Sequence, residues 1–153
     1  MKKTIKADDL ASLVGIELEP SPWIEITQER VNQFADATND HQFIHVDPEK
    51  AAQTPFGGPI AHGFLSLSLL SYLNEQSAVF PENLAIVINY GSDKVRYLAP
   101  VRVGKRIRSR QTVMEMNEKK PGHWLMKCAV TVDIEDEDTP ALVAEILSMM
   151  ITK

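Results

Sequence analysis

The chain has 153 residues, 44% of them apolar and 24% charged, with a formal net charge of −5 at pH 7. That length predicts one domain, residues 1–153, able to bury about two-thirds of its unfolded surface. The acidic balance removes the electrostatic case for nucleic acid or an anionic membrane as a partner, the single cysteine, Cys128, removes an internal disulfide, and no run approaches the ~18 apolar residues of a membrane span.

The N-terminal stretch MKKTIKADDLASLVG has two early lysines, then acidic residues, and no long apolar core, so it does not read as a signal peptide. Together with the lone cysteine, this makes a reducing, cytoplasmic setting the expectation. Ala7 to Val14 is predicted as a short helix started near Asp8 or Asp9. Pro20 and Pro22 break any regularity, and Trp23 to Ile26 alternates as a first strand would.

Thr27 suits a helix N-cap, and Glu29 places a negative charge in the first turn. Val31, Phe34 and Ala35 share one face, so the spacing predicts a helix over 28–37. It ends at Thr38-Asn39-Asp40, residues that favour turns. Asp47-Pro48 reads as N-cap and first position of a second short helix over 49–53. Thr54 to Pro59 holds two prolines and two glycines and must be irregular.

From Ile60 to Val79 the run is apolar nearly all round, which predicts a buried helix. Ser66, Ser68 and Ser71 are tolerated there because a hydroxyl can bond back to a carbonyl one turn earlier. After Pro81 the period becomes two. Leu84 to Tyr90 and Asp93 to Leu98 read as strand interrupted at Gly91, Lys105 to Asn117 as a long strand, and Lys119 to Gly122 as a hairpin turn. Trp124 to Ile134 puts Trp124, Met126, Cys128, Val130, Val132 and Ile134 on one face, so Cys128 is expected to be a buried thiol rather than a nucleophile. Leu142 to Ile151 closes the chain as a strand. Helices followed by four or five antiparallel strands argue an α+β fold, with the sheet curled around the one buried helix.

Three of the four histidines, His41, His45 and His62, precede that helix. Taken alone, Asp40 and His45 admit two readings: an acid–base pair around a water, or loop residues that cap and turn. His41 reads as solvated or packing, and Asp47 as a cap. His62 stands open between a loop bond and a functional part. Gly63 stands open between close packing and the approach of a ligand to first-turn N–H groups, where an oxyanion would be stabilised. The spacing of His41, His45 and Asp47 prompts a metal reading, but HExxH and CxxC are absent, so no metal is expected. GxSxG is absent too, so the helix serines are not expected to be nucleophiles. Lys94, Arg96, Arg102, Lys105, Arg106, Arg108 and Arg110 read either as solvated strand faces or as contacts for a ligand's phosphates.

The segments FADATNDHQFIHVDPEKAA and FGGPIAHGFLSLSLL resemble the hydratase motif of the MaoC-like family, hot-dog-fold proteins that include the R-specific enoyl-CoA hydratases. The likeness is nearest to the single-domain branch with nodulation-protein-N-like sequences. It is carried by residues 28–73 and agrees over YGSDKVRYLAPVRVG, Tyr90 to Gly104. It implies a hot-dog fold, an antiparallel sheet wrapped around a long central helix, paired through sheet edges into a homodimer or higher homo-oligomer. It implies that Asp40 and His45 activate a water, that the Gly63 N–H holds a thioester oxygen, and that Ser71 supports the site. The implied reaction adds water across C2=C3 of a trans-2-enoyl-CoA; the acyl-CoA thioester is the partner, and no cofactor is needed beyond the coenzyme A of the substrate.

The common segment of that family is G-D-x-N-P-(I/L)-H, where this chain has Asn39, Asp40, His41, Gln42, Phe43, Ile44 and His45. The amide of Gln42 is expected to bond within the loop, and Phe43 to add bulk near the pocket. Two other functions remain open on sequence: an acyl-CoA thioesterase of the same broad fold, although the central helix has no carboxylate before Glu75, and a non-catalytic acyl-CoA-binding protein.

Overall fold

In the computed structural model, which describes residues 3–153, two strand systems enclose one helical segment. The chain opens with β1 (Lys3–Ile5) and a 3-10 helix (Ala7–Leu13), then β2 (Ile24–Glu25), α1 (Gln28–Thr38), α2 (Phe43–Val46) and α3 (Pro48–Ala52). The central segment is α4 (Gly63–Ser68) and α5 (Leu70–Ser77), followed by β3 (Val79–Pro81), β4 (Leu84–Tyr97), β5 (Arg106–Lys120), β6 (His123–Ile134) and β7 (Leu142–Thr152). Five strands form one antiparallel sheet in the order β2-β5-β6-β7-β4, and β1 pairs in parallel with β3.

Local chemistry explains the ends of the helices. Thr27 accepts from the Arg30 N–H at 3.2 Å, and Asn39 closes α1 in the left-handed region at φ 58°. Asp47 accepts from the Lys50 N–H at 3.1 Å, with Pro48 in the first turn of α3.

The long helix differs from its expectation over Ile60 to Val79 in three ways. It is shorter, starting at Gly63 and ending at Ser77, because Ile60 bridges to Arg102 and Val79 pairs in β3. It is irregular at Leu69, although the i→i−4 column continues across that point: Leu69 N–H donates to Leu65 and Leu73 N–H to Leu69. It is also not buried all round. Leu65, Leu70 and Leu73 join Val113, Val130, Leu142 and Met150 in the core, whereas Phe64 is 69% and Tyr72 49% exposed. Of the three helix serines expected to bond back, Ser68 does so to the Phe64 carbonyl at 2.6 Å, whereas the buried Ser66 Oγ has no hydrogen-bond partner and Ser71 Oγ accepts from Asn89. The Gln111 amide of β5 donates to the Asn74 carbonyl at 3.1 Å and to Ser77 Oγ at 2.9 Å, fixing the end of α5 to the sheet.

Gly91 does not interrupt its strand. β4 runs on, with register shifts between Asn89 and Gly91 and between Ser92 and Lys94. Such bulges bend and twist a strand, which lets the sheet curl. β4 is also a sheet edge, and Ile86, Val87, Ile88 and Tyr90 are all exposed on it. Cys128 is buried and its thiol is pushed up to about 12 by desolvation, which suits a structural thiol. Among the described residues, no helix is long and apolar enough to cross a membrane.

Most of the basic run is paired along the sheet: Lys94 with Glu145, Lys105 with Glu137, Arg106 with Glu135, and Arg108 and Arg110 with Asp133. That favours the strand-face reading for those five.

Leu73 is fully buried where α5 meets the sheet. Leu73→Ala is expected to lower unfolding free energy by about 2–5 kcal/mol, read as an earlier midpoint in urea at unchanged slope.

Candidate active site

α1 ends at Asn39, and its left-handed turn sends Asp40 and His41 across toward α2. Gln28 ties the two helices, its amide donating to the His45 carbonyl at 2.8 Å and to Asn32 Oδ1 at 2.9 Å. The Ile60 N–H donates to the Ile44 carbonyl at 3.0 Å, which brings the strand-like entry to α4 alongside α2. On that frame the side chains of Asp40, His45 and His62 converge, with donor atoms all within 4.8 Å of one another.

His45 is 6% exposed, and its Nδ1 lies 2.6 Å from the Ile60 carbonyl. A carbonyl only accepts, so Nδ1 carries the hydrogen and Nε2 keeps its lone pair. Desolvation lowers the pKa of this imidazole below the ordinary 6.5, and charge on His62 acts in the same direction; the Ile60 bond and the Asp40 carboxylate oppose them. His45 is therefore a neutral acceptor at neutral pH. Asp40 is exposed, and its Oδ1 accepts from the Gln42 N–H at 3.3 Å, so it also makes the turn that the plainer reading gave it.

His62 is buried against both. Its Nε2 donates to the Asp40 main-chain carbonyl at 3.0 Å, with Asp40 Oδ2 4.0 Å away. Its ring stacks on His45 at 3.8 Å between centroids and meets Phe34 at 4.9 Å. Each imidazole thus commits one nitrogen, as a donor, to a carbonyl. The cluster is held by hydrogen bonds to main-chain carbonyls.

Gly63 is the first residue of α4, with His62 at the N-cap position. First-turn N–H groups have no partner within the helix. A Cβ at residue 63 would stand 2.9 Å from Cε1 and 3.0 Å from Cδ1 of Tyr97. The position therefore needs glycine to let the Tyr97 ring close over it. Tyr97 escaped the sequence reading; its signal was a place in the second resembling segment, YGSDKVRYLAPVRVG. Burial raises the pKa of its phenol.

A cavity of about 430 Å³ opens here, lined by His45, Gly63, Ser66, Tyr97, Leu98 and Val101 among others. Ser71 does not line it. Ser71 faces a larger cavity of about 640 Å³ between the central helix and β4, where its hydroxyl accepts from Asn89 at 3.3 Å. Phe43 is 43% exposed and lies outside the lining of both cavities, so it does not add the expected bulk. Gln42 enters the loop through its main chain, as donor to Asp40 and acceptor from His45 N–H at 3.0 Å, rather than through its amide. His41 pairs with Asp36 at 2.8 Å on the surface, and Asp47 is a cap, as expected of both.

The family model described as MaoC like domain matches residues 9–136. Nodulation protein N of Rhizobium meliloti (strain 1021) is 48% identical over 141 residues, covering 92% of this chain and 88% of that protein. The 3-hydroxyacyl-thioester dehydratase Z of Mycobacterium tuberculosis (strain ATCC 25618 / H37Rv) is 47% identical over 137 residues, 90% of each. Among solved structures, the (R)-hydratase from A. caviae involved in PHA biosynthesis superposes with a TM-score of 0.71 at 25% identity, over 88% of this chain and 94% of that one. The MaoC-like dehydratase from Rhodospirillum rubrum gives 0.75 at 21% identity over 97% and 98%.

The buried, neutral His45 has a measurable consequence for stability. Its folded pKa lies below 6.5, so as pH falls the unfolded chain takes up this proton first. The contribution is present above pH 6.5 and is lost as pH falls through the lower folded value. In thermal melts the wild type is expected to lose Tm faster than His45→Gln over that window; parallel curves would refute the assignment.

Proposed function

Because the chain belongs to the MaoC-like domain family, we propose that it hydrates the C2=C3 bond of an enoyl thioester, and runs the reverse dehydration, with an enoyl-CoA as the substrate. The observation that carries this is the spacing of Asp40 and His45: a carboxylate oxygen and a ring nitrogen within 4.8 Å leave room for one water between them. His45 Nε2 accepts a proton from that water while Asp40 orients it. The water oxygen bonds to C3, and the π electrons of C2=C3 move toward the thioester, whose oxygen gathers charge. The Gly63 N–H, at the positive end of the central helix, stabilises that charge. The proton gained by the pair returns to C2, and the site ends as it began. Water and the thioester supply every atom, so no metal or separate cofactor is invoked.

The acyl tail follows the central helix into the larger cavity. Ser71 lies eight residues beyond Gly63, about 12 Å along a helix axis, and it lines that cavity with Leu67, Leu70, Ile86 and Ile146. Within the basic run from Lys94 to Arg110, Arg96 and Arg102 are the two with no carboxylate partner among the described residues, and they are the candidates for the phosphates of coenzyme A. The unpaired Cys128 fits a cytoplasmic location.

The test is loss of the enoyl-thioester absorbance with crotonyl-CoA. Asp40→Ala and His45→Ala are each expected to lower turnover by roughly 10²-fold, and a chelator to leave the rate unchanged. Wild-type turnover in both variants would sink the mechanism, and release of free CoA thiol without hydration would mark a thioesterase.

The assembly we propose is a homodimer closed along the β4 edge. That edge offers unpaired main-chain groups and the exposed Ile86, Val87, Ile88 and Tyr90, a surface that a second copy of the same strand matches by symmetry. Light scattering should give twice the chain mass of 17.1 kDa for the wild type and the single mass for Ile88→Lys; a monomeric wild type would refute it.

A further inference from the structure

We infer that His62 is a positioning residue for the Asp40–His45 pair, clamping the main chain of Asp40 with one ring nitrogen and backing the ring of His45 with its face. The inference rests on the hydratase reading for its catalytic meaning.

Four observations carry it. First, His62 occupies the N-cap position of the central helix without making a capping bond. Its side chain turns instead to the Asp40 carbonyl, 22 residues back in the chain, at 3.0 Å. Second, the Asp40 carboxylate is exposed, and the bond it accepts comes from its own loop, so this clamp ties it to the helix. Third, the His62 ring is held between α1 and α2, tilted against Phe34 and stacked on His45 at an interplanar angle of 24°. Fourth, His62 is 3% exposed, yet its Nδ1 is buried with no hydrogen-bond partner. A buried polar atom without a partner is costly. A ring needed only as filler would be better as phenylalanine, so the imidazole is there for its Nε2–H.

The groups that face this ring come from three elements: Phe34 from α1, Asp40 from the loop and His45 from α2, while Tyr97 of β4 lies over the neighbouring Gly63. The titratable ones in contact are therefore Asp40 and His45. Any charge on His62 disfavours charge on His45, in the same direction as the burial that keeps His45 a neutral acceptor. Removing His62 takes away that charge and is expected to raise the pKa of His45. The acid limb of the rate profile then moves to higher pH, because the base must be unprotonated to work.

Two variants and one measurement on the wild type test this. His62→Phe keeps the ring and deletes the donor; kcat for crotonyl-CoA is expected to fall by about tenfold or more, as displaced catalytic groups do, with KM changed less than about threefold. His62→Gln restores an N–H at similar reach and is expected to recover most of kcat, with the acid limb still shifted upward. Nitrogen NMR of the wild-type histidine rings is expected to show His62 with its hydrogen on Nε2 and His45 with its hydrogen on Nδ1. Wild-type kcat and pH profile in His62→Phe would overturn the inference. So would equal losses in both variants with the wild-type pH profile, the pattern of a merely structural residue. If His62→Phe does not fold, the tautomers decide, and a hydrogen on His62 Nδ1 overturns the clamp. A wild type that never hydrates crotonyl-CoA would instead sink the hydratase reading, and the tautomers, with the titration of His45 in wild type and His62→Gln, would still decide the role of His62.

Discussion

The central helix can bury its leucines only if the sheet bends around it. Leu65 of α4 and Leu70 and Leu73 of α5 share one buried core with Val113, Val130, Leu142 and Met150 of the sheet. A flat sheet of five strands would leave much of that apolar surface in water. The bend is supplied where β4 changes register at Asn89–Gly91 and Ser92–Lys94. Gln111 then fixes the far end of the helix to β5. With its axis fixed this way, the helix presents its N-terminus at a defined place, and the chemistry gathers there.

That gathering works through main-chain carbonyls. Ile60 orients one imidazole and Asp40 receives the other, so neither ring depends on a charged partner for its orientation. The same short entry to the helix carries Ile60, His62 and Gly63. One segment therefore sets the tautomer of His45, the position of the Asp40 loop and the approach to the first-turn N–H groups. Tyr97 completes the floor from the opposite side, and it fits because residue 63 has no side chain.

Much of this was legible in the sequence. Period-two alternation located β5, β6 and β7 to within a few residues, and Thr27 and Asp47-Pro48 marked helix starts that the structure keeps. Asp40, His45 and Gly63 stood out as a loop carboxylate, a loop imidazole and a helix-entry glycine, and the resemblance gave them roles. What was hidden depends on contacts between distant residues. The three-residue pairing of β1 with β3 is too short to have a period. Gly91 signals a departure from regular strand, but a bulge and a break look alike without the partner strand. The exposure of Phe64 and Tyr72 cannot be read from an apolar run, which records only that the helix has greasy sides. Tyr97 over Gly63 and His62 on Asp40 join positions 34 and 22 residues apart, and nothing local announces either.

The order of strands in the sheet also bears on how the chain acquires its structure. β4 precedes β5 and β6 in sequence, yet its partner is β7, whose first residue is Leu142. During synthesis β4 must wait for nearly the whole chain to emerge before it has a neighbour. Through that interval Ile86, Val87, Ile88 and Tyr90 have no paired strand beside them. Non-local pairing of this kind slows folding and lengthens the time over which an apolar strand can meet another chain. β7 thus gives β4 its neighbour on one side, and truncation within β7 would leave both edges of β4 without a partner.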